Sequence, residues 1–248
     1  MSTATCSTAS DLRSAIAGKG FAFVHGAAMQ DLLAPHGSIT DWARFADSWN
    51  HLELDTYMAD GGRYRRRRHA AYAAAGDAPI ERQPHQPHVQ TLDYNPMNGG
   101  IERWFEPIDA SVRTDPQWLQ LLTNLGSLFA ALRATPRWFI EAHQFRIDTA
   151  EGIGRPTPEG AHRDGVDFVA VILIERRDVR GGETRVFQAR GNAGIRFTMA
   201  EPWTALLLDD EQVIHETTPI QPEGTPGVRD TLVITYRADG FQQKQAED

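Results

Sequence analysis

The chain has 248 residues, of which 41% are hydrophobic, and a formal net charge of -8. This length supports one sizeable core, and the acidic balance argues against a general nucleic-acid binder. Cys6 is the only cysteine, which excludes an intramolecular disulfide and a multi-cysteine zinc site. Residues 1–10 lack the charged-then-apolar order of a signal peptide, and no apolar stretch is long enough to span a membrane. We therefore expect a cytoplasmic protein without a membrane partner.

The N-terminal half, about residues 1–138, is predicted to be helical and irregular. A short helix after Ser10 should end near Gly20, because glycine disfavours continuation of a helix. The residues from Phe21 to His25 follow as a predicted strand.

Two further helices are predicted from their caps and from apolar side chains at helical spacing. Thr40 can cap a helix that continues to about Glu53. Asp115 can cap a second helix that runs from Pro116, which suits a first helical turn, to about Leu132.

The C-terminal half, about residues 139–240, is predicted to be rich in strands. Apolar or β-branched runs span Phe139 to Ile147, Phe168 to Ile174 and Thr231 to Tyr236, and we treat the first two as neighbouring strands. The segment from Trp203 to Val213 is an apolar run followed by a polar turn.

These elements predict a mainly β fold with flanking helices. The expected architecture is a distorted double-stranded β-helix, also called a jelly roll and similar to the cupins, with helices packed against one sheet. No repeat, low-complexity tract or linker divides the chain, so a single domain over residues 1–248 is expected.

Three residues in this frame have the chemistry of a metal site. His162 and Asp164 are two apart at a predicted strand end, so their side chains should project to the same side. The strand that follows the polar turn can deliver His215 to the same centre. Two imidazoles and one carboxylate can occupy one face of a divalent iron and leave the opposite face open for substrate and dioxygen.

The sequence also predicts an anion-binding pair and a tight turn near this site. Arg229 and Thr231 share one face of the last strand, where a guanidinium and a hydroxyl suit the distal carboxylate of a dicarboxylate. Gly181 and Gly182 lie between the predicted ligands and favour a tight hairpin turn with positive φ.

The residues from Pro158 to Glu183 (PEGAHRDGVDFVAVILIERRDVRGGE), followed by LLLDDEQVIHETTPI and RDTLVITYR, carry a family resemblance. They resemble the bacterial iron(II)/2-oxoglutarate dioxygenases that hydroxylate free aliphatic L-amino acids, the isoleucine-hydroxylase-like family. The similarity covers mainly residues 139–237. Its most specific part is PEG-x-H-x-DG-x-x-F, which begins at Pro158 and ends at Phe168.

The resemblance implies that His162, Asp164 and His215 bind Fe(II), and that Arg229 with Thr231 anchors 2-oxoglutarate. It implies hydroxylation or sulfoxidation of a free aliphatic or sulfur-containing L-amino acid with O2, releasing succinate and CO2. The same chemistry on another small molecule is one alternative. A cupin-like metal-binding or sensing protein without turnover is a second, which the dicarboxylate clamp disfavours. A nucleic-acid oxygenase is a third, which would need a basic groove around the metal.

Several residues are candidates for contacts with the substrate. Glu159 can meet the substrate amine or simply close a turn. Arg146 can meet a substrate carboxylate if it points inward, and is otherwise an exposed or core-edge residue. Asp209 and Asp210 can orient a ligand or bind an amine, although two carboxylates in a turn are equally ordinary.

Other features have both a functional and an ordinary interpretation. Tyr94 and Trp104 are candidate walls of the substrate pocket, although aromatic core packing is the commoner role. The run Arg65 to Arg68 can contact phosphates, but a solvated loop or helix face is the favoured interpretation. The segment His85 to His88 is interpreted as a loop or lid over the barrel mouth rather than a second metal site, because Pro87 prevents regular helical placement. We expect a small-molecule substrate and no nucleic acid, and we consider a symmetric homodimer alongside a monomer.

Overall fold

The computed structural model describes Cys6 and residues 8–33, 42–76 and 78–244. Thr40, the predicted cap of the second helix, lies outside the described residues. Within the described ranges, no helix is both long and apolar enough to cross a lipid bilayer.

Five α-helices and thirteen strands make up the described fold. The helices are α1 (Ala9–Lys19), α2 (Gly26–Leu33), α3 (Trp42–Asp47), α4 (Ala110–Arg113) and α5 (Pro116–Ala130). The strands are β1 (Phe21–Val24), β2 (Glu53–Leu54), β3 (Arg65–Ala74), β4 (Glu81–Arg82), β5 (Trp138–Asp148), β6 (Phe168–Arg177), β7 (Val179–Gly181), β8 (Glu183–Gln188), β9 (Gly194–Thr198), β10 (Ala205–Asp209), β11 (Val213–Thr217), β12 (Ile220–Pro222) and β13 (Val228–Arg237).

The strands form one large sheet and two small ones. The large sheet has the order β1-β10-β6-β13-β5-β3-β2, with β4 paired to β3. The small sheets are β11-β8-β9 and β12-β7, and every strand pair is antiparallel. This confirms the predicted mainly β fold of the double-stranded β-helix type.

The two faces of the large sheet bury different residues. On β6, Phe168, Ala170 and Ile172 belong to the core shared with the helices, whereas Val169 and Leu173 pack into the interior between the sheets. Successive side chains of a strand point to opposite faces, so each long strand contributes to both regions. The second region extends into the cavity described below.

The helices that cover the outer face have clear caps. Thr8 and Asp11 form a reciprocal capping box at the start of α1, and Gly20 ends it with a φ of 80°. At α5, the Asp115 side chain accepts hydrogen bonds from two backbone N–H groups and Pro116 occupies the first turn. The helix α5 therefore begins where the sequence predicted, whereas α1 begins at Ala9, two residues before its predicted start.

The region between residues 42 and 54 differs from its prediction. One long helix to Glu53 was expected, but α3 ends at Asp47 and a single 3-10 turn, Ser48–His51, follows. Glu53 then opens β2 and pairs with Arg67. Trp49 donates its indole N–H to the Phe145 carbonyl at 3.1 Å, a tertiary contact that local periodicity cannot reveal.

Three expectations about the strands are corrected. The strands β5 and β6 are not neighbours, because β13 lies between them. Gly181 and Gly182 do have positive φ, but they connect β7 to β8, which belong to different sheets and form no hairpin. The N-terminal half is not only helical and irregular, since it supplies the ten-residue strand β3.

Candidate metal centre and ligand cavity

A cavity of about 120 Å³ opens between the large sheet and the small sheets. Its wall combines charged, polar and apolar side chains from β3, β5, β6, β11 and β13 and from the loops between residues 88–103 and 156–166. The lining residues used below are Arg65, Arg67, His88, Gln90, Arg103, Glu141, His143, Phe145, Glu159, His162, Asp164, His215, Arg229, Thr231 and Gln242.

His162 and His215 are held side by side by the backbone. An isolated antiparallel bridge joins them, in which each residue's N–H donates to the other's carbonyl at 3.0 Å. Their ring centroids lie 4.7 Å apart. Asp164 lies between the rings, with its carboxylate oxygens 3.8 Å from His162 Nε2 and 3.6 Å from His215 Nε2. The structure thus brings the three predicted ligands together.

The donor set fits a divalent metal. His162 Nδ1 donates to the Gly160 carbonyl at 2.9 Å, which leaves a lone pair on Nε2. Bonds of about 2.1 Å, typical of imidazole and carboxylate ligands, allow one ion to join atoms up to about 4 Å apart. Burial and the neighbouring His162 lower the pKa of His215 to about 3, so its imidazole is neutral, as a ligand must be.

Charge around His162 also favours a cation. Burial opposes protonation of its imidazole, but the carboxylates of Asp164 and Glu159 outweigh burial and raise its pKa. Glu159 Oε1 is 3.6 Å from His162 Nε2, and Glu159 Oε2 is buried without a hydrogen-bond partner. A metal ion at this position would compensate the same negative charge.

Asp210 organises the loop that carries Asp164. Its buried carboxylate accepts hydrogen bonds from the backbone N–H groups of Asp164, Gly165 and Val166 at 3.0, 2.8 and 3.2 Å. Burial and the charge of Asp164 raise the pKa of Asp210 to about 6. Of the two aspartates considered from sequence, Asp210 is the one that supports the candidate metal centre.

Two further contacts shape this loop. The Gln242 amide donates to the carbonyls of Asp164 and Gly165, each at 3.0 Å. Gly165 has a φ of 75°, and a Cβ at this position would lie 2.4 Å from the Tyr94 ring. Only glycine accepts both this conformation and this close approach. Tyr94 therefore packs on the loop that carries Asp164, and it is not part of the cavity wall.

Arg229 and Thr231 line the cavity from the same face of β13. Arg229 is 3% exposed, and its Nε and Nη2 atoms have no hydrogen-bond partner in the protein. Burial and the nearby Arg176 lower the pKa of Arg229 to about 10. An unpaired, buried guanidinium beside a hydroxyl is a suitable anchor for a carboxylate.

The strand β3 contributes side chains that the sequence interpretation placed elsewhere. Arg65 and Arg67 are buried and line the cavity, so the prediction of a solvated loop or helix face is wrong for these two residues. Arg66 is exposed, as expected. Arg65 pairs with the buried Asp55 at 2.7 Å. Four consecutive arginines show no alternation of residue type, so no direct signal was present in the sequence; residues 65, 67 and 69 share one face only once the segment is known to be a strand.

A second histidine cluster adjoins the cavity, whose wall includes its members His88, Glu141 and His143. Glu141 Oε1 accepts hydrogen bonds from His69 Nε2 and His88 Nδ1, both at 2.9 Å. The rings of His69 and His143 stack at 4.7 Å. His88 is thus a buried wall residue, whereas His85 lies outside this cluster and its Nε2 donates to the Phe105 carbonyl at 2.9 Å. The lid interpretation does not describe His88.

Other predicted substrate residues lie away from the cavity. Arg146 forms two hydrogen bonds with Asp230, at 2.8 and 2.7 Å, on the opposite face of β5. Asp209 accepts from the Gln212 side chain and lies near Arg133. Trp104 is 50% exposed. Of the six residues that the sequence offered as candidate substrate contacts, only Glu159 is part of the cavity wall.

The chain is similar to known proteins in sequence and in fold. A model of the 2OG-Fe dioxygenase family matches residues 46–235. The chain is 48% identical to a bsmA homolog from Methylobium petroleophilum PM1, with 96% of each chain covered and a TM-score of 0.89. No match was found among curated proteins.

Two more distant solved structures share the fold. IDO from Bacillus thuringiensis is 20% identical, with 93% of this chain and 99% of that chain covered and a TM-score of 0.75. The Fe(II)/(alpha)ketoglutarate-dependent dioxygenase TqaL is 18% identical, with 97% and 90% covered and a TM-score of 0.75. The chain therefore belongs to the 2OG-Fe dioxygenase family of oxidoreductases, which use Fe(II), 2-oxoglutarate and O2 and act on small-molecule substrates.

Proposed function

We propose that His162, Asp164 and His215 bind Fe(II), and that Arg229 with Thr231 binds the distal carboxylate of 2-oxoglutarate. The observation that carries this proposal is the shared cavity: a His/Asp/His donor set and an unpaired, buried guanidinium line the same enclosed space. A metal-binding protein without turnover has no need for the second feature.

The proposed substrate is a free aliphatic or sulfur-containing L-amino acid. Support comes from the PEG-x-H-x-DG-x-x-F motif, which resembles that of the amino-acid hydroxylases, and from Glu159, whose buried Oε2 lacks a partner. The carboxylate of Glu159 suits the substrate ammonium group. Phe145 and three valines at positions 166, 171 and 233 supply apolar wall for an aliphatic side chain.

In the overall reaction, one oxygen atom of O2 enters the substrate as a hydroxyl or sulfoxide, and the other enters the succinate formed when 2-oxoglutarate loses CO2. Iron with 2-oxoglutarate supplies the oxidising power. The protein supplies orientation: Arg229 fixes one end of 2-oxoglutarate, and Glu159 fixes the substrate amine.

The direct test is turnover with individual free L-amino acids. The purified protein is incubated with Fe(II), ascorbate, 2-oxoglutarate and one amino acid, and succinate and oxygenated product are measured by mass spectrometry. We expect product that requires both iron and 2-oxoglutarate. Succinate without any oxidised amino acid would contradict the amino-acid assignment while retaining the family activity.

The Arg229→Met variant tests the cosubstrate assignment. Loss of a buried charged contact costs about 2–5 kcal/mol, so KM for 2-oxoglutarate should rise by about 30-fold or more. Arg180→Met is the control, because Arg180 is an exposed residue of the nearby β7 that contacts Gln221. An unchanged dependence on 2-oxoglutarate concentration in Arg229→Met would refute the role of Arg229.

A further inference from the structure

Two buried positive charges in the cavity lack a counter-ion. Arg67 is 4% exposed and Arg103 is 1% exposed, and both line the cavity. Within the described part of the chain, no carboxylate lies within 4.0 Å of either guanidinium. The neighbouring Arg65 differs, because Asp55 neutralises it. A buried positive charge without a counter-ion destabilises the ligand-free protein, and it therefore favours binding of an anion.

The hydrogen-bond donors around these charges are also unpaired. Arg67 Nη2 donates to His143 Nδ1 at 3.0 Å, which places the imidazole proton of His143 on Nε2. That Nε2 atom, Arg67 Nε and Arg103 Nε have no hydrogen-bond partner in the protein. Both guanidiniums lie near one ring, with their carbon atoms 4.0 and 5.9 Å from the centroid of Phe105. The wall of the cavity therefore contains three unsatisfied donors on residues that carry or adjoin two uncompensated positive charges, a combination that favours a planar anion.

A metal ion is a poorer occupant of this region. The lone pairs of Glu141 Oε1 already accept hydrogen bonds from His69 and His88. The Arg67 guanidinium contacts His143, the remaining histidine of the cluster, and would repel a divalent cation at this distance. The local charge thus favours a carboxylate over a metal.

We propose that Arg67, Arg103 and His143 form a subsite for the carboxylate of the substrate, separate from the 2-oxoglutarate anchor at Arg229. This inference rests on the proposed function and specifies it further: the enzyme requires a free carboxylate and discriminates against the corresponding amide or ester. The substrate class is then a free amino acid or a related small carboxylic acid, and excludes a residue within a peptide.

One residue connects the subsite with the candidate metal centre. Gln90 accepts a hydrogen bond from Arg103 Nη2 at 2.8 Å, and its amide donates to Asp164 Oδ1 at 3.3 Å. The carboxylate subsite is therefore one side chain away from a proposed iron ligand. A substrate held here would have its carbon chain beside the metal.

The first measurement compares L-leucine with L-leucinamide, and L-methionine with L-methioninamide, as substrates of the iron-loaded enzyme with 2-oxoglutarate. We expect kcat/KM to favour the acid by about 30-fold or more, the ratio expected for one buried charged contact. In Arg67→Met and Arg103→Met, KM for the acid should rise by a similar factor and the preference should fall towards one. Equal use of acid and amide by the unaltered enzyme would overturn the proposal without any variant.

Arg66→Met is the matched control. Arg66 neighbours Arg67 on β3, but its side chain is 44% exposed on the other face and lies 3.7 Å from Asp148. The Arg66→Met variant should have the same KM and the same preference for the acid as the unaltered enzyme. Binding of 2-oxoglutarate reports whether Arg67→Met and Arg103→Met still fold, because the cosubstrate anchor is separate from the subsite. Arg67→Lys, which keeps the positive charge, reports the effect of altering the side chain at this position. Retention of the full acid preference in folded Arg67→Met and Arg103→Met would contradict the assignment.

A binding experiment separates this inference from the proposed function. If no amino acid is oxidised, the thermal stability of the protein with 2-oxoglutarate is measured with isovalerate and isovaleramide. Stabilisation by the acid alone, lost in Arg67→Met, would support the carboxylate subsite although the amino-acid assignment fails. The subsite proposal would be overturned if neither compound stabilised the protein. It would also be overturned if metal analysis found a second metal ion per chain that His162→Ala still binds.

Discussion

At the scale of single residues, the candidate site depends on side chains that hold the loop of Asp164 in place. Asp210 accepts three backbone hydrogen bonds from the loop of Asp164, and Gln242 donates to two carbonyls of the same loop. These contacts fix the position of the Asp164 carboxylate before any ion binds. Groups that orient ligands in this way strongly affect metal affinity.

We therefore expect Asp210→Asn to weaken iron binding by about 10–100-fold. An amide presents one acceptor oxygen and no charge, so it cannot satisfy the three N–H groups equally well. Metal affinity can be measured by calorimetry with Fe(II) under anaerobic conditions.

Asp209→Asn is the matched control for this measurement. Its carboxylate contacts Gln212 and Arg133 and makes no hydrogen bond to the Asp164 loop. It should therefore bind iron as the unaltered protein does. Equal losses of affinity in the two variants would show that Asp210 has no specific role.

At the scale of elements, each long strand carries two functions on its two faces. On β13, Arg229 and Thr231 line the cavity, whereas the intervening Asp230 pairs with Arg146 of β5. Arg146 was predicted as a substrate residue on condition that it points inward, and the register of β5 places it on the other face. Its role is therefore to join two central strands.

Loss of this ion pair should reduce stability and leave substrate affinity unchanged. Asp230 is 1% exposed, and Arg146→Met would leave its carboxylate buried without a partner, at a cost of about 3 kcal/mol. Urea denaturation measures the loss, and KM measured on the folded variant reports the site. A raised KM with unchanged stability would restore Arg146 as a substrate residue.

The sequence predicted the local features of the site better than its long-range features. The juxtaposition of His162, Asp164 and His215 was predictable, because each residue lies beside a recognisable strand. Arg67, Arg103 and Glu141 were not, because their burial depends on β3 joining the large sheet beside β5. Composition alone predicts that a run of arginines is exposed. Only the alternation of side chains along a strand determines which of these arginines point into the protein and which point to solvent. The single-domain expectation stays a prediction.

At the scale of the whole molecule, the buried histidines link stability to pH. Burial, together with the charges of Arg103 and Arg67, lowers the pKa of His88 to about 3, although Glu141 opposes this effect. The unfolded imidazole titrates near pH 6.5, so between these values the unfolded chain binds more protons than the folded one. The stability that depends on neutral His88 is therefore fully present above about pH 6.5 and is lost as the pH falls from 6.5 towards 3.

We expect the metal-free protein to lose about 2 kcal/mol from this residue alone between pH 7.5 and pH 5. The free energy of unfolding, measured in urea at both pH values, should fall less steeply in His88→Gln. His51→Gln is the control, because the His51 side chain is 60% exposed. Identical pH dependence in His88→Gln and the unaltered protein would contradict this assignment.

The backbone bridge between His162 and His215 has a mechanical consequence. Each histidine donates its backbone N–H to the carbonyl of the other, so the segment before β6 is tied to β11 whether or not an ion is present. The two imidazoles therefore need not be brought together when an ion binds, and little conformational entropy is lost at that step. The separation of the rings is set by the backbone and is independent of ligation.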